Sequence, residues 1–295
     1  MFRKILFDNN IKKKLLTILI ISAIFISSTI IIYLIIPVQS HWTEIYRPAA
    51  LKLLNGKNPY IGINFFNPPW ALIPLIPFAV LPEKLGNALL CSITFLSFAY
   101  IAIKFGAKPI TLILFLTLPL TLYNIIQVNV DWLVAWGFLF PPQIGLFFIL
   151  MKPQLGIFLA IYWFVDSWKL GGIKTVLIVF CPVIVAFLLS FILFGNYFQT
   201  ATVVFEEANK TFWPASISVG LVLMVLAFRI KKSKLTISAA PLLTPYVQPY
   251  SLPLAIFGLL PDQPLTITLI LGLWFIFLDP SRLYIIQRLF ELFNK

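Results

Sequence analysis

His41, Glu44 and Arg47 fall in one short stretch, His41-Trp42-Thr43-Glu44-Ile45-Tyr46-Arg47-Pro48, of a chain that otherwise avoids charge; the histidine is its only one. Tyr60 and Trp70 follow in Asn58-Pro59-Tyr60 and Asn67-Pro68-Pro69-Trp70. An imidazole or a carboxylate can take a proton from a bound hydroxyl, and a guanidinium can hold an anion. Polar groups this close to lipid are costly, so their clustering suggests work done at a membrane surface. Each also has a plainer reading. His41 can be a polar-headed interface anchor, Glu44 a partner for Arg47 or Lys52, and Tyr60 and Trp70 parts of an aromatic belt.

Composition sets the class of element that must carry these groups. Of 295 residues, 60% are hydrophobic and 11% charged, with a mean hydropathy of +0.98. A soluble core of this size cannot hide that much apolar surface, whereas a bilayer solvates it. Leu15 to Val38 carries no charge and is too long for a secretory leader, so it reads as a retained helix. The net charge of +12 is spread in short clusters between apolar runs, among them Lys12 to Lys14, Lys104 with Lys108, and Arg229 to Lys234. That is a positive-inside pattern with attraction to anionic membrane lipid, and it argues against a nucleic-acid partner. Cys91 and Cys181 lie in apolar runs, and a lone histidine without a Cys/His cluster excludes a zinc site. No cofactor is implied; an oxygen-liganded divalent cation stays open.

With the basic clusters as cytoplasmic markers, the expected fold is an all-α polytopic membrane protein of eight to ten segments in one domain, 1–295. Residues 1–14 form a basic cytoplasmic N-terminus, 39–82 an outer loop, and 281–295 an amphipathic cytoplasmic tail. Pro109 to Tyr123 reads as one outward pass and Val130 to Phe140 as a short return closed by Pro141-Pro142. Ile144 to Trp168 carries Lys152-Pro153 near its middle. A proline there removes a backbone bond, so two half-helices in a re-entrant hairpin are expected.

Within the outer loop, Pro48 suits a first helical position and Asn55-Gly56 an end, predicting a surface helix over 48–54. His41 and Glu44 share a face if the preceding turn is helical. Asn67 is placed to cap the helix begun by Pro68-Pro69, with Trp70 as anchor. Asp131 reads as the marker of a helix entering from water, leaving Lys152 as the one deep charge.

The run from His41 through Arg47-Pro48-Ala49-Ala50, Asn55-Gly56-Lys57-Asn58-Pro59-Tyr60 and Asn67-Pro68-Pro69-Trp70 resembles the first outer loop of the GT-C glycosyltransferases. It is most similar to glycosyltransferase family 87, the polyprenyl-phosphate-mannose-dependent mannosyltransferases. Gln127-Val128-Asn129 resembles that family's Gly-Gln-Val-Asn element, Lys152-Pro153 its Lys-Pro element, and Thr244-Pro245-Tyr246 its late proline-containing break. The similarity runs from about residue 39 to 255. The family's aspartate before the aromatic is His41 here, and its glycine before the glutamine is Ile126.

The resemblance implies an integral plasma-membrane hexosyltransferase of the cell envelope, with an extracytoplasmic active site. It would move a sugar, mannose first, by inversion from a polyprenyl-phosphate donor to a glycan or glycolipid acceptor. His41 or Glu44 would be the catalytic base. Arg47 and Lys152 would share one cavity and hold the donor phosphate. Tyr60, Trp70, Gln127, Asn129, Asp131 and Tyr246 would line the substrate site. Two other classes stay open: an inactive GT-C-like scaffold that binds envelope lipid, suggested by the missing aspartate, and a transporter or flippase for a lipid-linked substrate.

Overall fold

The computed structural model describes residues 9–196 and 213–278. The expected tail at 281–295 and the first eight residues lie outside them. Among the described residues the structure is helical throughout. Helix α1 (Asn9–Ile35) is followed by a π-helical turn (His41–Tyr46) and α2 (Arg47–Leu54). A 3-10 segment (Pro69–Leu75) runs into the single turn α3 (Ile76–Ala79), and α4 (Glu83–Phe105) follows. Next come α5 (Pro109–Thr117), α6 (Pro119–Ile126), α7 (Asp131–Gly137) and α8 (Pro142–Ile149). The long α9 (Pro153–Phe194) precedes α10 (Ile217–Arg229) and α11 (Lys234–Leu243). The last part holds a 3-10 turn (Pro249–Ser251), α12 (Pro253–Ile256) and α13 (Gln263–Leu278).

Among the described residues three helices are long and apolar enough to cross a membrane: 12–35, 83–105 and 153–194. Leucines and isoleucines stay exposed along α1, a surface whose natural solvent is hydrocarbon. The α9 span is two segments, because Gly171 and Gly172 break it; Gly172 has φ +60°, a conformation that glycine adopts at no steric cost. Helices α5 and α6 together are apolar enough for one span but meet at 62°. The segment expected to pass outward over 109–123 is therefore bent in its middle. Leu118, directly before Pro119, sits at φ −57°, ψ 127°, because proline crowds the preceding residue out of the α region. The remaining apolar helices, Pro69–Ala79, Ile217–Arg229, Lys234–Leu243 and Gln263–Trp274, are shorter.

Prolines and glycines account for the hairpin that matters most. Pro141-Pro142 starts α8, and the chain leaves the helix at Lys152 (φ −132°, ψ 88°) before Pro153 begins α9, where the lysine-proline step was expected to break it. The two helices then pack face to face. A Cβ on Gly156 would strike the backbone carbonyl of Ile149, so only hydrogen fits there. Further along the bundle, the buried Phe257 ring meets Phe98, Phe105 and Phe115 at 5.7, 5.8 and 5.1 Å, tying α4 and α5 to the segment after α12.

Candidate functional site

The π-helical turn sets the first wall. Its wide i→i+5 bonding brings His41, Ile45 and Tyr46 to one side, and all three line a cavity of about 490 Å³. Glu44 falls on the opposite side and is exposed. The expectation that His41 and Glu44 share a face is overturned, since a three-residue spacing holds for an α-helix and not for a π turn. The following α2 starts at Arg47 and ends at Asn55, with Gly56 at φ +67°, as the proline and Asn-Gly signals indicate.

The opposite wall runs from Met151 to Gln154 at the break between α8 and α9, facing the irregular stretch 244–248 and the 3-10 turn that follows it. Asn67 stitches the loop to this break. It caps no helix: Pro68 holds that position without a side-chain bond, and the Asn67 amide donates instead to the Met151 carbonyl at 2.8 Å. Tyr46 Oη donates to Asn129 Oδ1 at 2.8 Å. Asn129 follows Val128, whose φ of +52° is rare for a β-branched residue. Such a conformation costs about 1–3 kcal/mol and persists where the surroundings over-determine it. Here the reversal turns Asn129 toward Tyr46 and lets α7 begin two residues later.

That helix opens with Asp131, which is fully buried. Reading it as a wet helix start is wrong. One carboxylate oxygen is ion-paired with Lys152 Nζ. The other accepts from Ser251 Oγ at 2.6 Å and from Asn124 Nδ2 at 2.8 Å. The Lys152 ammonium also lies 4.9 Å from the centre of the Tyr250 ring and 3.4 Å from Ser251 Oγ. Lys152 reaches the cavity wall, while Asp131 stands behind it. The depth of Lys152 was expected from its apolar run, but its pairing with a buried Asp131 was not, because Ser251, which also holds that carboxylate, lies 120 residues further along the chain.

Above this floor the His41 ring stands edge-on to Tyr250, 5.7 Å between centres. Burial, and secondarily the Lys152 charge, pull its pKa down to about 4 against the opposing pull of Asp131. The imidazole is thus neutral at pH 7. Among the described residues its Nδ1 is buried without a partner, as is Gln248 Oε1, and both residues line the cavity. The Gln248 amide nitrogen is engaged by Tyr246 Oη at 2.6 Å. Unpaired buried polar atoms cost about 1–3 kcal/mol each, so a donor that reaches either one is stabilising.

Of the other expected site residues, Asn129 and Tyr246 line the cavity and the rest are placed elsewhere. Arg47 Nε donates to the Ala79 carbonyl at 3.2 Å and does not line the cavity with Lys152. Tyr60 donates to the Asn67 carbonyl at 2.9 Å, and Trp70 to the Phe147 carbonyl at 2.9 Å; neither ring is in the wall. Gln127 is buried and does not line the cavity, its Oε1 without a partner among the described residues. Tyr246 is in the wall. Gln248, Tyr250, Ser251 and Asn124 were missed. They are ordinary polar residues in a proline-rich stretch and a short helix, and nothing in their spacing distinguishes them. Among the described residues no group of His, Cys, Asp or Glu could hold a metal ion. No family model, curated protein or solved structure matches this chain.

Proposed function

We propose that the cavity binds a lipid-linked sugar phosphate and transfers its sugar to a hydroxyl acceptor. The observation that carries this reading is the pairing of two chemistries in one space. Lys152 offers a cation to a phosphate, and His41 and Gln248 in the same wall each carry a buried polar atom with no partner among the described residues, which a side-chain shift would open to an O–H donor. A sugar supplies such hydroxyls, and a neutral imidazole can take the acceptor's proton as the anomeric bond breaks. The similarity of the outer loop to family 87 adds the polyprenyl carrier, with mannose as the first sugar to try. In the topology read from the basic clusters, this work is done on the outer face of the plasma membrane.

Lys152 is partly neutralised by Asp131. Its pull on a phosphate is therefore smaller than that of a lone buried cation, and the pair as a whole carries no net charge. A second reading, in which the cavity holds the lipid-linked sugar without transferring it, rests on His41 standing where the family has an aspartate.

Mass spectrometry of the detergent-extracted protein tests the proposal. A co-purifying polyprenyl phosphate or its sugar ester, lost in a Gln248→Leu variant that still folds, is the expected result. Recovery of bulk phospholipid alone would overturn it. Transfer that appears only in His41→Asp would favour the holding reading.

A further inference from the structure

A second concave site lies at the other end of the bundle. Trp42, next to His41, donates from its indole to the Glu83 carbonyl at 3.1 Å, so the first turn of α4 stands beside the His41 cavity. The 23 residues of α4 carry the chain about 34 Å, close to the ~30 Å hydrocarbon thickness of a bilayer. At the far end, the Lys234 ammonium sits 4.4 Å from the centre of the Phe105 ring, and Gly106 lies beside Pro261.

Two adjoining cavities open there, of about 510 and 410 Å³. Lys231, Lys232 and Lys234 line the first, and Lys108 and Lys232 the second, so Lys232 stands between them. Lys231 is held at φ +54° in the tight link between α10 and α11. All four lysines are exposed, and none is ion-paired among the described residues. The one carboxylate in both walls, Asp262, is engaged as the cap of α13, accepting from the Leu265 backbone at 3.1 Å. Four like charges around one concavity repel each other and favour whatever anion neutralises them.

We propose that this double cavity binds a phosphate group at the membrane face opposite the His41 site, carried by an anionic phospholipid headgroup or free as a small phosphate. Lysine suits this as a point-charge donor, and the depth of one bilayer from the first site puts the lysines at headgroup level.

Thermal unfolding of the full chain in detergent, titrated with phosphatidylglycerol, with phosphatidylcholine or with inorganic phosphate, tests the idea. Phosphatidylglycerol should raise Tm and phosphatidylcholine should not. Lys108→Gln/Lys232→Gln should weaken the apparent affinity about 30-fold, roughly fivefold per lysine at an anionic surface, and Lys108→Arg/Lys232→Arg should retain it. Lys13→Gln/Lys14→Gln, which removes equal charge from the same end of the bundle, should behave as the native chain. An equal response in both glutamine variants would mean diffuse surface attraction and would overturn the site, as would no response at all. Protection by millimolar inorganic phosphate that also cancels the lipid effect would assign the site to a free phosphate; protection by lipid alone would assign it to the headgroup.

Discussion

The floor and the rim of the His41 cavity are built on opposite principles. In the floor, the Asp131 carboxylate is matched by Lys152, Ser251 and Asn124. In the rim, His41 Nδ1 and Gln248 Oε1 are buried with no partner among the described residues. A satisfied buried network holds its neighbours in place, and removing one member strands a charge. An unsatisfied pair of acceptors stabilises nothing until a ligand arrives. The contrast assigns position to the floor and chemistry to the rim, although the floor holds the stronger charges.

Breaking the floor should have the largest effect. Lys152→Ala leaves Asp131 buried and unpaired, a loss of about 3–5 kcal/mol readable as a lower urea midpoint or Tm. The double variant Asp131→Asn/Lys152→Met removes both charges and should recover most of that loss. If the double variant is no more stable than the single, the floor is not acting as a pair. Lys152→Ala alone therefore reports on folding before it reports on phosphate binding.

Breaking the rim should leave the fold nearly intact. His41→Ala is expected to cost ~10² to 10⁴-fold in a transfer assay, the range for loss of a general base, with Tm little changed. Glu44→Gln, at an exposed position, should be nearly silent. Because the His41 pKa is lowered to about 4, the rate should stay level through 6.5 and fall only on approach to 4. Linkage has the same sign. Below 6.5 the unfolded chain takes up a proton that the native imidazole refuses, so stability drops as pH falls from 6.5 toward 4 and then levels off. An inflection of rate at 6.5 would mean that a solvated imidazole, not the buried one, is at work.

The smallest effect tests the link between the two. Tyr46→Phe deletes the bond to Asn129, worth about 0.5–1.5 kcal/mol. Asn129 Oδ1 keeps the Val130 N–H at 2.8 Å, so the loss should sit at the low end. A larger drop would show that the π turn, and with it His41, is held mainly by this contact.

What the chain states locally is legible in its sequence. The start of α2 near Pro48, its end at Asn55-Gly56 and the break at Lys152-Pro153 all follow from the chemistry of proline and glycine within a few residues. The apolar character of α1, α4 and α9 follows from composition alone. The bend at Leu118-Pro119 obeys the same local rule and was there to be read. What the fold alone decided concerns partners. Asp131 and Lys152 meet only because the hairpin of α8 and α9 returns beside α7; the depth of Lys152 is readable from the apolar run around it, whereas nothing near Asp131 predicts its burial. The π turn separates His41 from Glu44 because packing of Trp42 and Tyr46, not helix propensity, sets its pitch. Val128 takes a left-handed conformation that no local preference favours, and Arg47 is drawn to the Ala79 carbonyl rather than to a phosphate. Backbone preferences act over a few bonds and can be read from neighbours, whereas a buried charge finds its partner through space, where distance along the chain carries no information.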